Sequence, residues 1–226
     1  MMSGPVKFSP RFQVHPQPSL RIGKSERTRA AILNSALEFL WTHPFRDMTV
    51  QSVMIPTGAG RSAFYKYFRD LHGLMETLLD TLRDELVAVT GPWFEGAGDP
   101  IALLNHSLDG LVEVCYHRGP ILRAIDDASS TDKRFEQAWA QFFAEFNDAV
   151  SARIEADQAQ GLIPDFAARP VAIALNHLDA YTLIEAFGER PRIKREPVRE
   201  ALGRIWISTL YGSQWSGKAS SNLVRT

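Results

Sequence analysis

Two groups of residues in this chain have the types and spacing to do chemistry. The first lies in residues 49–74, TVQSVMIPTGAGRSAFYKYFRDLHGL. A short apolar-patterned segment meets the turn Thr57-Gly58-Ala59-Gly60, and a short basic–aromatic segment follows. A glycine-bearing turn between two short helices is the layout of a helix-turn-helix, whose second helix enters the DNA major groove. On that second helix Phe64 and Phe68 stand four apart, which points both into a small core. Arg61, Ser62, Ala63, Tyr65, Lys66 and Tyr67 are then left near DNA. Arg61 reaches a guanine edge or a phosphate, and Tyr65 and Lys66 reach phosphates. Thr49, at the start of the preceding helix, offers a hydroxyl and free amides as a phosphate seat.

The second group lies in the C-terminal half. Phe135, Trp139, Phe142, Phe143, Phe146 and Val150 recur at spacings of three and four and make one aromatic stripe. Plain core packing is the ordinary use of such a stripe. Asn176 and Asp179 are three apart, on one helical face of an otherwise apolar segment. Buried polar groups need partners, at ~1–3 kcal/mol each if left unpaired. Interhelical hydrogen bonds are one solution, and a cavity in which the pair orients a ligand's polar end is the other. In the second case Trp139, Phe143, Phe146, Asn176, Asp179 and Trp206 line one elongated ligand-binding cavity. A carboxylate at 179 favours a ligand bearing a donor or a positive charge; otherwise it must be solvated or protonated.

Enzyme chemistry has little support. The six histidines (His15, His43, His72, His106, His117 and His177) are scattered, with neither a metal-spaced pair nor a nucleophile signature. Asp126-Asp127 reads as a solvated helix surface rather than a catalytic dyad. The single Cys115 excludes an intrachain disulfide and a multi-cysteine zinc site, and its apolar surroundings read as packing. No cofactor, no metal and no enzymatic activity are expected.

The elements that must position these residues all read as helices. Ile32, Leu33, Ala36, Leu37, Leu40 and Trp41 predict a first helix over about 25–41. Thr49 caps a second, which Pro56 and Gly58 stop early. The third covers 61–68. Asp70 caps a fourth, which Gly91-Pro92 breaks. Asp99-Pro100 opens a fifth to about His117, and Gly119-Pro120 separates it from a short sixth ending near Ser129. Thr131 caps a long helix to Gln160, another covers about 168–187, and the last opens at Glu196-Pro197 and closes at Gly212. No alternating strand pattern and no internal repeat interrupt the series. The fold class is all-α, about nine helices: an N-terminal three-helix DNA-binding domain over 25–70 and a C-terminal helical ligand-binding and dimerisation domain over 71–212, with the helix over 71–89 as connector. Residues 1–24, with Lys7, Arg11, Arg21 and Lys24, read as a flexible basic arm, and 213–226 as a polar tail.

Charge supports this division. The net charge of the 226 residues is −1, yet residues 1–70 hold 10 Lys/Arg against 4 Asp/Glu, and residues 71–226 hold 15 against 22. A near-neutral total thus hides a basic front end suited to phosphate. The apolar runs fall short of a membrane span of ~20 residues, and no signal-type segment opens the chain. The expectation is a cytoplasmic protein with no membrane partner.

The pattern from the first helix through Thr49-Val50, Gly58, Arg61, Phe64-Tyr65 and Phe68 resembles the TetR family of transcriptional regulators. That resemblance implies a homodimer whose N-terminal domains bind a pseudo-palindromic double-stranded DNA operator and whose C-terminal domains bind a small-molecule effector. Met54, Pro56, Gly60 and Leu71 depart from the family's pattern. Ala174-Leu175-Asn176-His177-Leu178-Asp179, Thr182-Leu183, Ala186-Phe187 and residues 205–212 are similar to a mycobacterial member of that family. The narrower likeness implies an elongated apolar pocket lined by aromatics, with a polar pair on one helix; Asp179 stands where that member has Asn. The leading function is a ligand-responsive DNA-binding regulator, a repressor by family habit, released from its operator by a lipophilic or aromatic small molecule. The alternative is a helical ligand-binding or scaffolding protein whose helix-turn-helix no longer reads DNA.

Overall fold

The computed structural model describes residues 23–96 and 98–212. The expected basic arm, apart from its last two residues, and the expected tail lie outside the described residues. Lys24, assigned to the arm from sequence, opens the first helix instead.

Among the described residues eight α-helices follow one another: α1 (Lys24–Leu40), α2 (Val50–Met54), α3 (Arg61–Phe64), α4 (Leu71–Glu95), α5 (Pro100–Ser129), α6 (Lys133–Ala159), α7 (Ala168–Phe187) and α8 (Arg195–Leu210). Two 3-10 turns, Phe45–Asp47 and Ile55–Thr57, flank α2. Among the described residues there is no strand. Helix α1 buries Ile32, Ala36, Leu37 and Leu40, the stripe its periodicity predicts. Thr49 and Ser52 cap α2 reciprocally, each backbone N–H donating to the other's hydroxyl at 3.0 Å. Pro56 shortens α2 into the second 3-10 turn, and Gly58 takes a left-handed φ of 68° that reverses the chain. Asp70 caps α4 by accepting from the Gly73 N–H at 2.8 Å.

Two expected breaks do not occur. Helix α4 runs through Gly91-Pro92 to Glu95, because Trp93 is only 2% exposed and its burial draws the last turn into the core. Helix α5 runs unbroken through Gly119-Pro120. Pro120 lacks the N–H that would bond the Tyr116 carbonyl four residues back. That carbonyl is not left orphaned, since Arg192 Nη1 donates to it at 2.6 Å. Gly119 is required by packing: a Cβ there would stand 2.3 Å from the Phe187 carbonyl oxygen, where the end of α7 lies on α5. The nine expected helices therefore become eight. Helix α6 is capped by Asp132 rather than Thr131, its carboxylate accepting from the Arg134 N–H at 2.8 Å.

Helix α5 is the centre of the molecule. It packs on α4, α6, α7 and α8 and also touches α1 and the first 3-10 turn. The buried apolar side chains, from Ile32 to Tyr211, form one contiguous cluster. No helix of the described residues is long and apolar enough to cross a membrane.

Candidate DNA-reading surface and effector cavity

The basic–aromatic segment folds more tightly than its sequence predicts. Only Arg61–Phe64 is α-helical, and Lys66 and Tyr67 close back on Ala63 and Phe64 with i→i+3 bonds at 3.3 and 2.9 Å. The tightened turn brings both Phe64 (0% exposed) and Phe68 (4%) into the core. Arg61, Ser62, Tyr65 and Lys66 are exposed, and Ala63 and Tyr67 are half-buried. Arg61 does not stand alone: its Nη2 donates to the Tyr65 hydroxyl at 3.3 Å, and its guanidinium lies 6.0 Å from the centre of that ring. The Tyr67 hydroxyl is 3.1 Å from Ser25 Oγ, which ties the turn to the start of α1. The Thr49 N–H donates to the Ser52 hydroxyl and the Thr49 hydroxyl accepts from the Ser52 N–H, so of the phosphate seat the Thr49 O–H and the Val50 and Gln51 amides are left to donate. Ser35 Oγ donates to the Val53 carbonyl at 2.7 Å and fixes α2 across α1. Met54, 3% exposed, fills the core.

The aromatic stripe of α6 divides along its length. Phe135 stacks on His72 with ring centres 4.8 Å apart and meets Phe45 edge-on at 5.1 Å, so its end of the stripe faces the helix-turn-helix. Trp139 stacks on Phe142, and its indole N–H donates to Asp126 Oδ1 at 3.1 Å. Phe142, Phe143, Phe146 and Val150 turn toward a cavity of about 80 Å³, measured as room for the centres of water-sized spheres. Since a single water needs ~10–15 Å³ on that measure, the space holds a small organic molecule or several waters.

Five of the six residues expected at one cavity are there: Phe143, Phe146, Asn176, Asp179 and Trp206. Trp139 is not among the lining residues, because its hydrogen bond to Asp126 holds the indole elsewhere. Sequence reasoning missed the walls contributed by α4 (Leu86, Thr90, Trp93, Phe94) and α5 (Leu104, Ser107, Leu108, Leu111, Cys115). Thr90 and Ser107, lone hydroxyls on apolar faces, were the available signal. In a helix such residues are also satisfied by the preceding turn, as Thr90 is through the Leu86 carbonyl at 2.8 Å.

The polar pair answers both expectations at once. Asn176 Nδ2 donates to Asn147 Oδ1 at 2.8 Å, an interhelical bond between α7 and α6. Asp179 Oδ1 accepts from the Trp206 indole N–H at 2.8 Å. Burial pushes the Asp179 carboxyl up to about 7, against the smaller opposing effect of the Trp206 hydrogen bond. Burial, and then the nearby Asp179 charge, likewise drives the Cys115 thiol far above its usual range, so it carries no reactive thiolate. Below the cavity a buried network closes the fold. The Trp93 indole N–H donates to the Tyr211 hydroxyl at 3.4 Å, which donates to Asp157 Oδ2 at 2.8 Å. Asp157 pairs with Arg153 at 3.0 Å, and Arg153 Nη1 donates back to the Trp93 carbonyl at 2.6 Å.

The helix-turn-helix is joined to the larger helical body at two places. Arg123 of α5 donates to the Leu40 carbonyl at the end of α1 at 2.6 Å, and Arg190 and Arg192 lie 4.8 and 5.0 Å from the Trp41 ring centre. On the other side Asp70 pairs with Arg134 of α6 at 3.5 Å, beside the edge-on contact of Phe45 with Phe135.

Helical fold, helix-turn-helix and apolar cavity together define a class, and comparison with known proteins agrees with it. The first solved structure of interest is a TetR-family transcriptional regulator from Syntrophomonas wolfei. It shares the fold with a TM-score of 0.69 over 82% of this chain and 96% of that one, at 15% identity. Residues 104–212 match the family model described as transcriptional regulator EthR, C-terminal domain. The HTH-type transcriptional regulator EthR of Mycobacterium tuberculosis is 26% identical over 186 residues, covering 80% of this chain and 86% of that protein. The Mycolicibacterium smegmatis EthR is 27% identical over 197 residues, covering 84% and 89%. These likenesses support a TetR-family transcriptional regulator resembling EthR. The matched residues 104–212 include the walls that α5, α6, α7 and α8 give to the cavity.

Proposed function

We propose that the protein is a homodimeric repressor that binds a pseudo-palindromic operator through residues 25–70 and is released by a lipophilic or aromatic small molecule held in the helical body of residues 71–212. The observation that carries the reading is the course of α4. Its cap, Asp70, comes two residues after Phe68 of the reading turn, and its far end supplies Leu86, Thr90, Trp93 and Phe94 to the cavity wall. At ~1.5 Å per residue such a helix is a rigid lever of ~37 Å. A ligand that fits one pose of α4 better than another shifts the spacing of two recognition turns, by no more than its differential affinity for the two poses.

In this reading the dimer contact falls on α7 and α8. Leu183, Ala186, Val198, Leu202 and Leu210 of these helices are consumed by the protomer's own core. Leu178 and Ile205 remain half-exposed, and Ile173 and Tyr181 of α7 are 38% and 55% exposed. An isologous four-helix contact over this stripe sets two reading turns on successive major grooves, ~34 Å apart.

The test is fluorescence anisotropy with labelled DNA from the region flanking the coding sequence. Binding by a dimer, with affinity falling steeply between 50 and 200 mM salt, is the expected result. A monomer in sedimentation, or the absence of salt-dependent binding to any flanking fragment, rejects the repressor and leaves the scaffolding alternative.

A further inference from the structure

The cavity has spent most of its donors and kept its acceptors. The Trp206 N–H is given to Asp179, the Trp93 N–H to Tyr211 and the Thr90 hydroxyl to the Leu86 carbonyl. The Ser107 hydroxyl is directed at the Thr90 carbonyl, and one Asn176 amide hydrogen goes to Asn147. Asp179 has that single hydrogen bond on Oδ1, and its Oδ2 has no partner among the described residues. No Lys, Arg or His lines the cavity. A buried carboxylate in an apolar chamber without a counter-cation is costly to keep ionised. A ligand that brings a positive N–H group relieves that cost, and one that brings a carboxylate adds to it.

We propose, building on the effector-cavity reading above, that the cavity selects a primary or secondary amine on an apolar body, with the ammonium donating to Asp179 Oδ2 and the apolar part lying against Phe143, Phe146 and Leu183. Asn176 Oδ1 is three residues away on the same face of α7 and offers a second acceptor. The titratable groups around Asp179 are few. Cys115 of α5 shares the cavity and stays neutral. Arg153 and Asp157 of α6 are paired with each other behind Trp93, and His177 of α7 stacks on Phe143 with ring centres 4.1 Å apart, outside the lining. Asp179 therefore sets the preference alone. An amine binds its ionised form, so amine affinity rises from pH 6 to pH 8.

The experiment titrates the full-length protein with hexylamine, hexan-1-ol and hexanoate by calorimetry at pH 8. Hexylamine should bind about tenfold or more tighter than hexan-1-ol, the scale of a close buried charge pair, and hexanoate weaker than both. In Asp179→Asn, which keeps the side chain's shape and an oxygen for the Trp206 N–H, the preference for hexylamine over hexan-1-ol should disappear. Hexan-1-ol binding with no amine preference in the wild type, or a preference that survives Asp179→Asn, overturns the inference and leaves the cavity standing. Failure of all three probes to bind the wild type overturns both. The comparison of probes on the wild type needs no variant, so it holds even where Asp179→Asn folds poorly.

Discussion

Replacing Asp179 with Asn should stabilise the protein above pH 7 and do so less at pH 5. Asp179 is 7% exposed, accepts one hydrogen bond and has no cation beside it, so burial lifts its carboxyl from 3.8 to about 7. A folded-state value above the unfolded one means that the folded protein holds the proton more tightly. The stability this contributes is fully present below about 3.8 and is lost progressively until pH passes about 7. Each pH unit inside that window is worth ~1.4 kcal/mol, so the loss from pH 5 to pH 7 is about 2–3 kcal/mol. Asn at 179 does not titrate and escapes the loss. The gap between variant and wild type should therefore widen by about 2–3 kcal/mol from pH 5 to pH 8 and then level off. Urea unfolding at pH 5, 6, 7 and 8, at one fixed protein concentration, measures it, because the difference between the two proteins cancels every other titrating group. A gap that stays constant across this range means the carboxylate is already ionised at pH 5, and refutes the claim that the cavity is a poor solvent for charge.

Three further outcomes follow from the geometry. Lys66→Ala should weaken binding to all DNA sequences and lower the slope of log affinity against log salt by about one, measured by anisotropy; Arg61→Ala should in addition relax base preference by ~1–3 kcal/mol if the guanidinium leaves Tyr65 for a base edge. Phe146→Trp should reduce hexan-1-ol binding by occupying the cavity, and a calorimetric titration equal to wild type contradicts the assignment of Phe146 to its wall. Trp139→Ala should lower unfolding stability by ~3–5 kcal/mol yet leave probe binding in place, since the indole packs on Phe142 and Asp126 outside the lining; loss of binding without loss of stability counts against that placement.

Much of this was written in local sequence. The stripe of α1, the Thr49 and Asp70 caps and the Gly58 turn depend on residues within a few positions of one another, and local chemistry suffices to specify them. Phe143, Phe146, Asn176, Asp179 and Trp206 were legible as one group, and line one cavity, because an aromatic stripe and a polar pair break the expected pattern of a helix face. What local chemistry could not decide was anything set by distant partners. Proline and glycine at 119–120 signal a break, but Arg192, 76 positions from Tyr116, takes the carbonyl that Pro120 frees, and the α7 backbone needs Gly119's missing side chain. Trp139 shares a stripe with Phe143, and only Asp126 decides that it faces away from the cavity. Leu183, Val198 and Leu202 lie on apolar helix faces, and only the packed fold decides that the protomer's own core covers them. The charge state of Asp179 belongs to the tertiary structure alone, since the same side chain in water ionises near 3.8 and only enclosure among Phe143, Cys115 and Trp206 raises it.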